Sequence, residues 1–192
     1  MNKAQFYKAV RARLGSLTQG QVDGFETILK ACEGLPLSWQ SYILATAWHE
    51  TDKTMQPVRE AFNLSENWRK KNLRYYPYYG RGYVQITWLK NYSWLDTAAA
   101  SAGLIKEGDL LKNLDLAMRP DIAAFALVRG LVEGRYDAQG KTIKQRLPSK
   151  GVATKKQYIN ARYLVNVQDK AEMIEGYAQA FEKALRDAGI IE

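Results

Sequence analysis

Apolar residues recur along most of this chain at three- and four-residue intervals, the spacing of helices that bury one face. The pattern predicts a short basic amphipathic helix from Asn2 to about Leu14. Thr18 opens T-x-x-Q, in which the threonine and glutamine satisfy each other's exposed backbone N–H groups, and predicts a second helix running to Gly34. Ser38 is read as the cap of a third, WQSYILATAWHE. Periodicity then fails from Thr51 to Tyr83, a stretch read as loop, and VQITW at 84–88 alternates like a short strand. Helices return at Asn91–Ala102, after Arg119-Pro120-Asp121, from Thr154 through Leu164, and from Asp169-x-x-Glu172 to about Ala188. A basic loop fills 134–153. The fold class is therefore mainly α with one short extended segment, expected as a single domain over 1–192.

Charge narrows the partners. The chain of 192 residues has 28 Lys and Arg against 20 Asp and Glu, a net +8. Such a surface suits an anionic partner: nucleic acid, a membrane face or an anionic wall polymer. The start of the chain has no apolar run followed by small residues, and no window is long and apolar enough to span a bilayer. A soluble chain made in the cytosol is expected, without stable membrane insertion. The lone cysteine, Cys32, lies in an apolar-periodic segment and reads as core.

One histidine, His49, precedes Glu50 at the end of the third helix. Zinc of the H-E-x-x-H type needs a second histidine where Lys53 stands, so no metal is expected. A Ser-His-Asp hydrolase lacks its G-x-S-x-G turn. Glu50 continues the stripe of Trp39, Ile43 and Ala47, with Tyr42 and Thr46 beside it. A carboxyl on that stripe, at a helix C-terminus, is expected to resist ionisation and to serve as a general acid. A frayed, solvent-facing glutamate is the plainer alternative.

The other candidate cluster is YYPYYGRGYVQITWLKNY, 75–92, with six tyrosines. Aromatic faces with directional polar groups suit sugars or bases, and Arg69, Lys70, Lys71, Arg74 and Arg81 keep a nucleic-acid module open. Strand alternation puts Gln85 and Thr87 on one polar face, with Val84, Ile86 and Trp88 packed inward.

Taken together, HET at 49–51, a glutamate in the next loop and YYGRGYVQITWLKNY at 78–92 resemble glycoside hydrolase family 19, the plant-type chitinases and related phage endolysins. NLDLAMRPDIAAFALV at 113–128 and ARYLVNVQDKAEMIEGYAQAF at 161–181 are similar to later family segments, so the resemblance spans about 35–185. It implies a lysozyme-like, two-lobed helical domain with a cleft and no cofactor. Glu50 matches the general acid and Glu60 the base, with Glu66 as the competing base. Thr87 matches the hydroxyl that holds the attacking water. His49, Tyr79, Arg81, Gln85, Asn91, Arg162 and Asn166 are implied to bind or orient substrate, Arg162 matching an arginine near the carboxylates. HETDKT replaces the chitinase H-E-T-T-G-G, Lys90 replaces a family tyrosine, and the plant disulfide cysteines are absent. These departures favour peptidoglycan over chitin.

The resulting expectation is a monomeric phage or prophage endolysin. It would hydrolyse β-1,4 bonds of peptidoglycan glycan strands as an inverting muramidase-type lysozyme, with no nucleic-acid partner. It would wait in the host cytoplasm until a holin admits it to the wall. A small chitinase, a basic nucleic-acid-binding module and a toxin delivered into rival bacteria are the alternatives.

Overall fold

The computed structural model describes residues 1–190, so the last two residues of the expected 1–192 domain lie outside it. Its centre is a helix buried on every side. Helix α1 (Lys3–Leu14) and helix α2 (Gln19–Ala31) lead to α3 (Leu37–Glu50), in which every residue from 37 to 48 is buried. Amphipathic reasoning had assigned α3 a single buried stripe. The structure corrects this: α2, α7 (Pro120–Glu133) and α10 (Ala171–Asp187) surround it, and only His49 and Glu50 emerge. An aromatic cluster fastens the surrounding helices together. Phe25 of α2 stacks on Trp48 of α3 at 5.9 Å, and Phe181 of α10 sits 5.6 Å from Phe25 and 6.2 Å from Trp48. Phe6 of α1 completes it. Buried aromatics of this size dominate core energetics; truncating one to alanine costs about 3–5 kcal/mol.

The helix punctuation follows local chemistry. Thr18 and Gln21 form the reciprocal capping box, as do Thr154 and Gln157 at the start of α9 (Lys155–Ala161). Pro120 occupies the first turn of α7, and Gly134, left-handed at φ +69°, ends it. Ser38 is not a cap: Pro36 precedes the helix, and the Ser38 hydroxyl donates to the Pro148 carbonyl at 2.7 Å. Cys32 is fully buried, and burial pushes its thiol pKa up.

The middle of the chain differs from the expected loop and strand. It holds α4 (Glu66–Asn72), capped by Ser65, and a two-stranded antiparallel ribbon of β1 (Val58–Arg59) and β2 (Arg81–Gly82). VQITW is not a strand. Gln85 and Trp88 are left-handed at φ +54° and +74°, and only Ile86 bridges back to Arg81. Trp88 opens α5 (Leu89–Ser101) with its side chain 46% exposed, not packed inward. Short α6 (Asp109–Lys112) and a 3₁₀ turn at Leu114–Met118 join α5 to α7. Within the expected basic loop, α8 (Ile143–Arg146) is stitched to Asp137 by Arg146.

The segment between Glu50 and the ribbon is clamped by α2. Thr51 donates to the Ala47 carbonyl at 2.8 Å and accepts from the Met55 amide at 3.0 Å. Gln21 reaches the Lys53 carbonyl at 2.8 Å. Met55 is fully buried against Gly24, where a Cβ would lie 1.8 Å from the Met55 carbonyl oxygen. Only glycine permits that approach. Gly24→Ala is therefore expected to cost about 3 kcal/mol, lowering the melting temperature by roughly 6–12 °C. Thermal denaturation by circular dichroism checks this; a shift under about 2 °C would show that the clamp yields freely.

Candidate active site

The two proposed carboxylates occupy contrasting settings. Glu50 ends α3, four residues beyond Thr46 and eight beyond Tyr42, so all three share one face. That face meets Arg162, which begins the 3₁₀ turn Arg162–Leu164 after α9 and is completely buried. Arg162 Nη1 donates to Glu50 Oε1 at 2.9 Å, and its Nε donates to the Asp169 carbonyl at 2.8 Å. Asn166 Nδ2 reaches the same Oε1 at 3.4 Å. Among the described residues, no hydrogen-bond partner is found for Glu50 Oε2. The Glu50 side chain remains 14% exposed. Beside the burial and helix end that the sequence shows, the structure adds the buried Arg162 guanidinium as a partner of this carboxyl.

The neighbours of this pair are set by burial too. His49 is half-buried; burial pulls its pKa down, and the adjacent Glu50 only partly offsets this. The imidazole is then neutral at neutral pH, which leaves Arg162 as the counter-ion of Glu50. Burial pushes Tyr42 up to about 12 despite the nearby Arg162. Its hydroxyl therefore stays protonated beneath the pair.

Glu60 follows β1 directly, and its amide donates to the Gly80 carbonyl at 2.7 Å, extending the ribbon by one pair. Its carboxylate accepts at both oxygens: Oε1 from the Tyr75 hydroxyl and Oε2 from the Gly80 amide at 2.9 Å. Tyr75 is raised to about 12, by burial and then by Glu60 itself, so it stays a donor. At Gly80 a Cβ would fall 2.7 Å from Gln85 Oε1 and 3.3 Å from Glu60 Oε2, so a larger residue would displace these side chains. Gln85 thus lines the Glu60 pocket, donating to the Val58 and Gly82 carbonyls at 2.9 and 3.1 Å. The Thr87 hydroxyl donates to the Gln85 carbonyl at 2.9 Å, and Asn91 Nδ2 to the Thr87 carbonyl at 3.0 Å. The Thr87 proton is committed, but its oxygen lone pairs can still accept from a water.

Three sequence-derived candidates lie elsewhere. Glu66 is exposed on α4 and accepts from Tyr79 at 3.0 Å and Arg69 at 3.3 Å. It borders a cavity of about 760 Å³ with Arg59, Arg81 and Asp115. Arg81 is buried and donates to Asp115 at 2.9 Å and Tyr92 at 2.8 Å. Tyr79 is 1% exposed, with its ring face 3.7 Å from the Arg81 guanidinium carbon. Tyr79 and Arg81 thus brace the ribbon and also border this cavity beside Glu66. Burial would raise Asp115, but hydrogen bonds from Arg59 and Arg81 hold its carboxyl below the usual range. Sequence reasoning overlooked Tyr75, Asp115 and the Gly80 amide. Only the aromatic density of 75–92 pointed towards them.

The structure gathers Glu50, Arg162, Asn166 and His49 in one group and Glu60, Gln85, Thr87 and Asn91 in another. The clamped segment 51–57 links them. Backbone strain concentrates here: of seven non-glycine residues with positive φ among the described residues, six lie between 52 and 88. Strain that the surroundings hold in place is a mark of functional segments.

No protein-family model matches the sequence, and no curated protein matches it. Among solved structures the chain is similar to chitinase C from Streptomyces griseus HUT6037, with 19% identity over 99% of this chain and 77% of that one, at a TM-score of 0.46. It is likewise similar to a bacterial family 19 chitinase, with 19% identity over 100% of this chain and 95% of that one, at a TM-score of 0.46. Neither likeness is close enough to carry a residue's role across.

The ion pair makes a separable stability prediction. Glu50→Gln keeps an acceptor for Arg162, whereas Glu50→Ala leaves a buried guanidinium unpaired. The alanine variant is expected to lose about 3–5 kcal/mol, and the glutamine variant, which keeps an acceptor but not the charge, somewhat less. Urea denaturation of both checks this; no loss in either variant would show that Glu50 is not what neutralises Arg162.

Proposed function

We propose that the chain is a glycoside hydrolase acting on the β-1,4-linked glycan strands of peptidoglycan, with Glu50 as acid and Glu60 as base. One observation carries the assignment: the two carboxylates are hydrogen-bonded unequally. Both donors to Glu50 reach Oε1, which leaves Oε2 to hold a proton and deliver it to the leaving oxygen. Glu60 accepts at both oxygens, the arrangement of an ionised carboxylate ready to take a proton.

In this reading Arg162 sets the orientation of Glu50 and answers the charge that remains after proton transfer. A water between Glu60 and the sugar donates one hydrogen to Glu60 and the other to Thr87 Oγ1. Its lone pair then faces the anomeric carbon from the side opposite the leaving group, as in inverting hydrolysis. Gln85 and Asn91 are already committed to backbone carbonyls. They shape the water-holding loop, and any sugar contact falls to their remaining acceptor oxygens. Asn166 stands at the Glu50 edge.

The net +8 charge suits an anionic wall polymer better than neutral chitin. Among the described residues no helix is long and apolar enough to cross a membrane. Passage from the cytoplasm to the wall, as a phage endolysin released by a holin, forms part of this proposal.

Glu50→Gln is expected to lower the release of new reducing ends from purified peptidoglycan by about 10²–10⁴-fold, with the protein still folded. Mass spectrometry of the released ends identifies the bond. A folded Glu50→Gln protein with half the wild-type rate would remove Glu50 from the chemistry. Cleavage of chitin oligomers in preference to peptidoglycan would reassign the substrate.

A further inference from the structure

Trp88 breaks three local rules at once. Its backbone, φ +74° and ψ 141°, lies beside the region that essentially only glycine populates. It stands at the N-cap of α5, where a serine, threonine, aspartate or asparagine would supply a capping oxygen, and it supplies none. Its indole is 46% exposed, so burial does not offset the strain. The backbone is nevertheless held firmly. The Trp88 amide donates to the Tyr78 carbonyl at 2.9 Å, and its carbonyl accepts from the amides of Asn91 and Tyr92 at 3.0 and 3.2 Å. Nothing in the fold asks for a tryptophan there. Local rules broken without structural gain belong to functional positions.

Its neighbours say what it does. The Tyr75 ring lies 4.9 Å from the indole, and the Tyr75 hydroxyl holds the Glu60 carboxylate. Trp88 is therefore one ring away from the proposed base. The Arg74 guanidinium sits 5.3 Å from the indole centroid. Among the described residues Arg74 is exposed and forms no ion pair, unlike Arg59, Arg69, Arg81 and Arg162. A half-exposed indole with one face under a cation that forms no ion pair, and its other face left for a ligand, suits a sugar ring that carries a carboxylate.

We propose that Trp88 and Arg74 form a binding subsite beside Glu60 for an acidic amino sugar, with the indole stacking on the ring and Arg74 selecting the carboxylate. This rests on the glycan-hydrolase reading above but is tested separately from it. The indole supplies affinity for any β-1,4 amino-sugar chain. Arg74 supplies the preference for the acidic one.

The test is calorimetric titration in the Glu50→Gln background, so that substrate is not consumed. The two probes are neutral N-acetylglucosamine oligomers and peptide-free peptidoglycan oligomers of equal length, in which alternate sugars carry a lactyl carboxylate. Trp88→Gly is expected to weaken binding of both roughly 5- to 100-fold, the range for loss of one stacking ring. Because glycine suits the backbone, its melting temperature should hold or rise. Arg74→Gln is expected to leave the neutral oligomer unchanged and to weaken the acidic one roughly three- to fivefold at low salt, an effect that high salt removes. Unchanged affinity in Trp88→Gly, or lower stability with unchanged affinity, would make the indole merely structural. Equal effects of Arg74→Gln on both probes would overturn the charge selection, and binding of neither probe to the parent protein would overturn the subsite. Tight binding by a wild-type protein that cleaves nothing would refute the hydrolase while the subsite stands on its own titrations.

Discussion

A guanidinium with no access to solvent must be neutralised, and the fold around Arg162 is organised to do so. Desolvating a charge costs several kcal/mol unless it is paired and its donors are used. Glu50 meets that requirement through one oxygen, and the Asp169 carbonyl takes a second donor. The pair also fixes where the carboxyl stands. It is held at the end of a helix buried from 37 to 48, so the carboxyl cannot drift with surface motion. What stabilises the structure thereby holds the partly exposed Glu50 carboxyl in one orientation. The same burial holds His49 neutral and Tyr42 protonated.

The second carboxylate is positioned by a different device. A ribbon of two residues per strand is too short to be stable alone. It is supported by the Arg59–Asp115–Arg81 charge cluster, by Tyr92 beneath Arg81, and by the close approach of Gly82 to α7. The left-handed residues near 52–61 and 85–88 are the strained turns through which the chain leaves and re-enters this scaffold. Rigid helices thus carry one carboxylate and a braced, strained ribbon carries the other.

The helical framework was legible because its signals are local. Capping boxes at Thr18 and Thr154, Pro120 at a helix start and Gly134 at a helix end need no knowledge of the rest of the chain. The middle segment was not legible for the opposite reason. VQITW alternates like a strand, but Gln85 and Trp88 adopt backbone angles that only long-range support can hold. Tyr79 and Arg81 read as a sugar-binding aromatic and cation. Asp115, more than thirty positions away in sequence, pairs with the arginine and makes it a structural brace as well, which no local signal announces. Trp88 was placed inward by the same alternation and emerges as the exposed aromatic next to the site. Glu50 was found by periodicity, but its partner Arg162 lies 112 residues on, and no spacing rule reaches that far.

The account stands on two carboxylates that act on opposite faces of one sugar, one giving a proton and the other taking a proton from water. The most direct measurement is proton NMR of the anomeric signals during the first minutes of peptidoglycan-oligomer hydrolysis, before mutarotation. Inversion requires the α-anomer to appear first from a β-linked strand. Initial formation of the β-anomer, or of a 1,6-anhydro end, would contradict the roles given to Glu60 and Thr87.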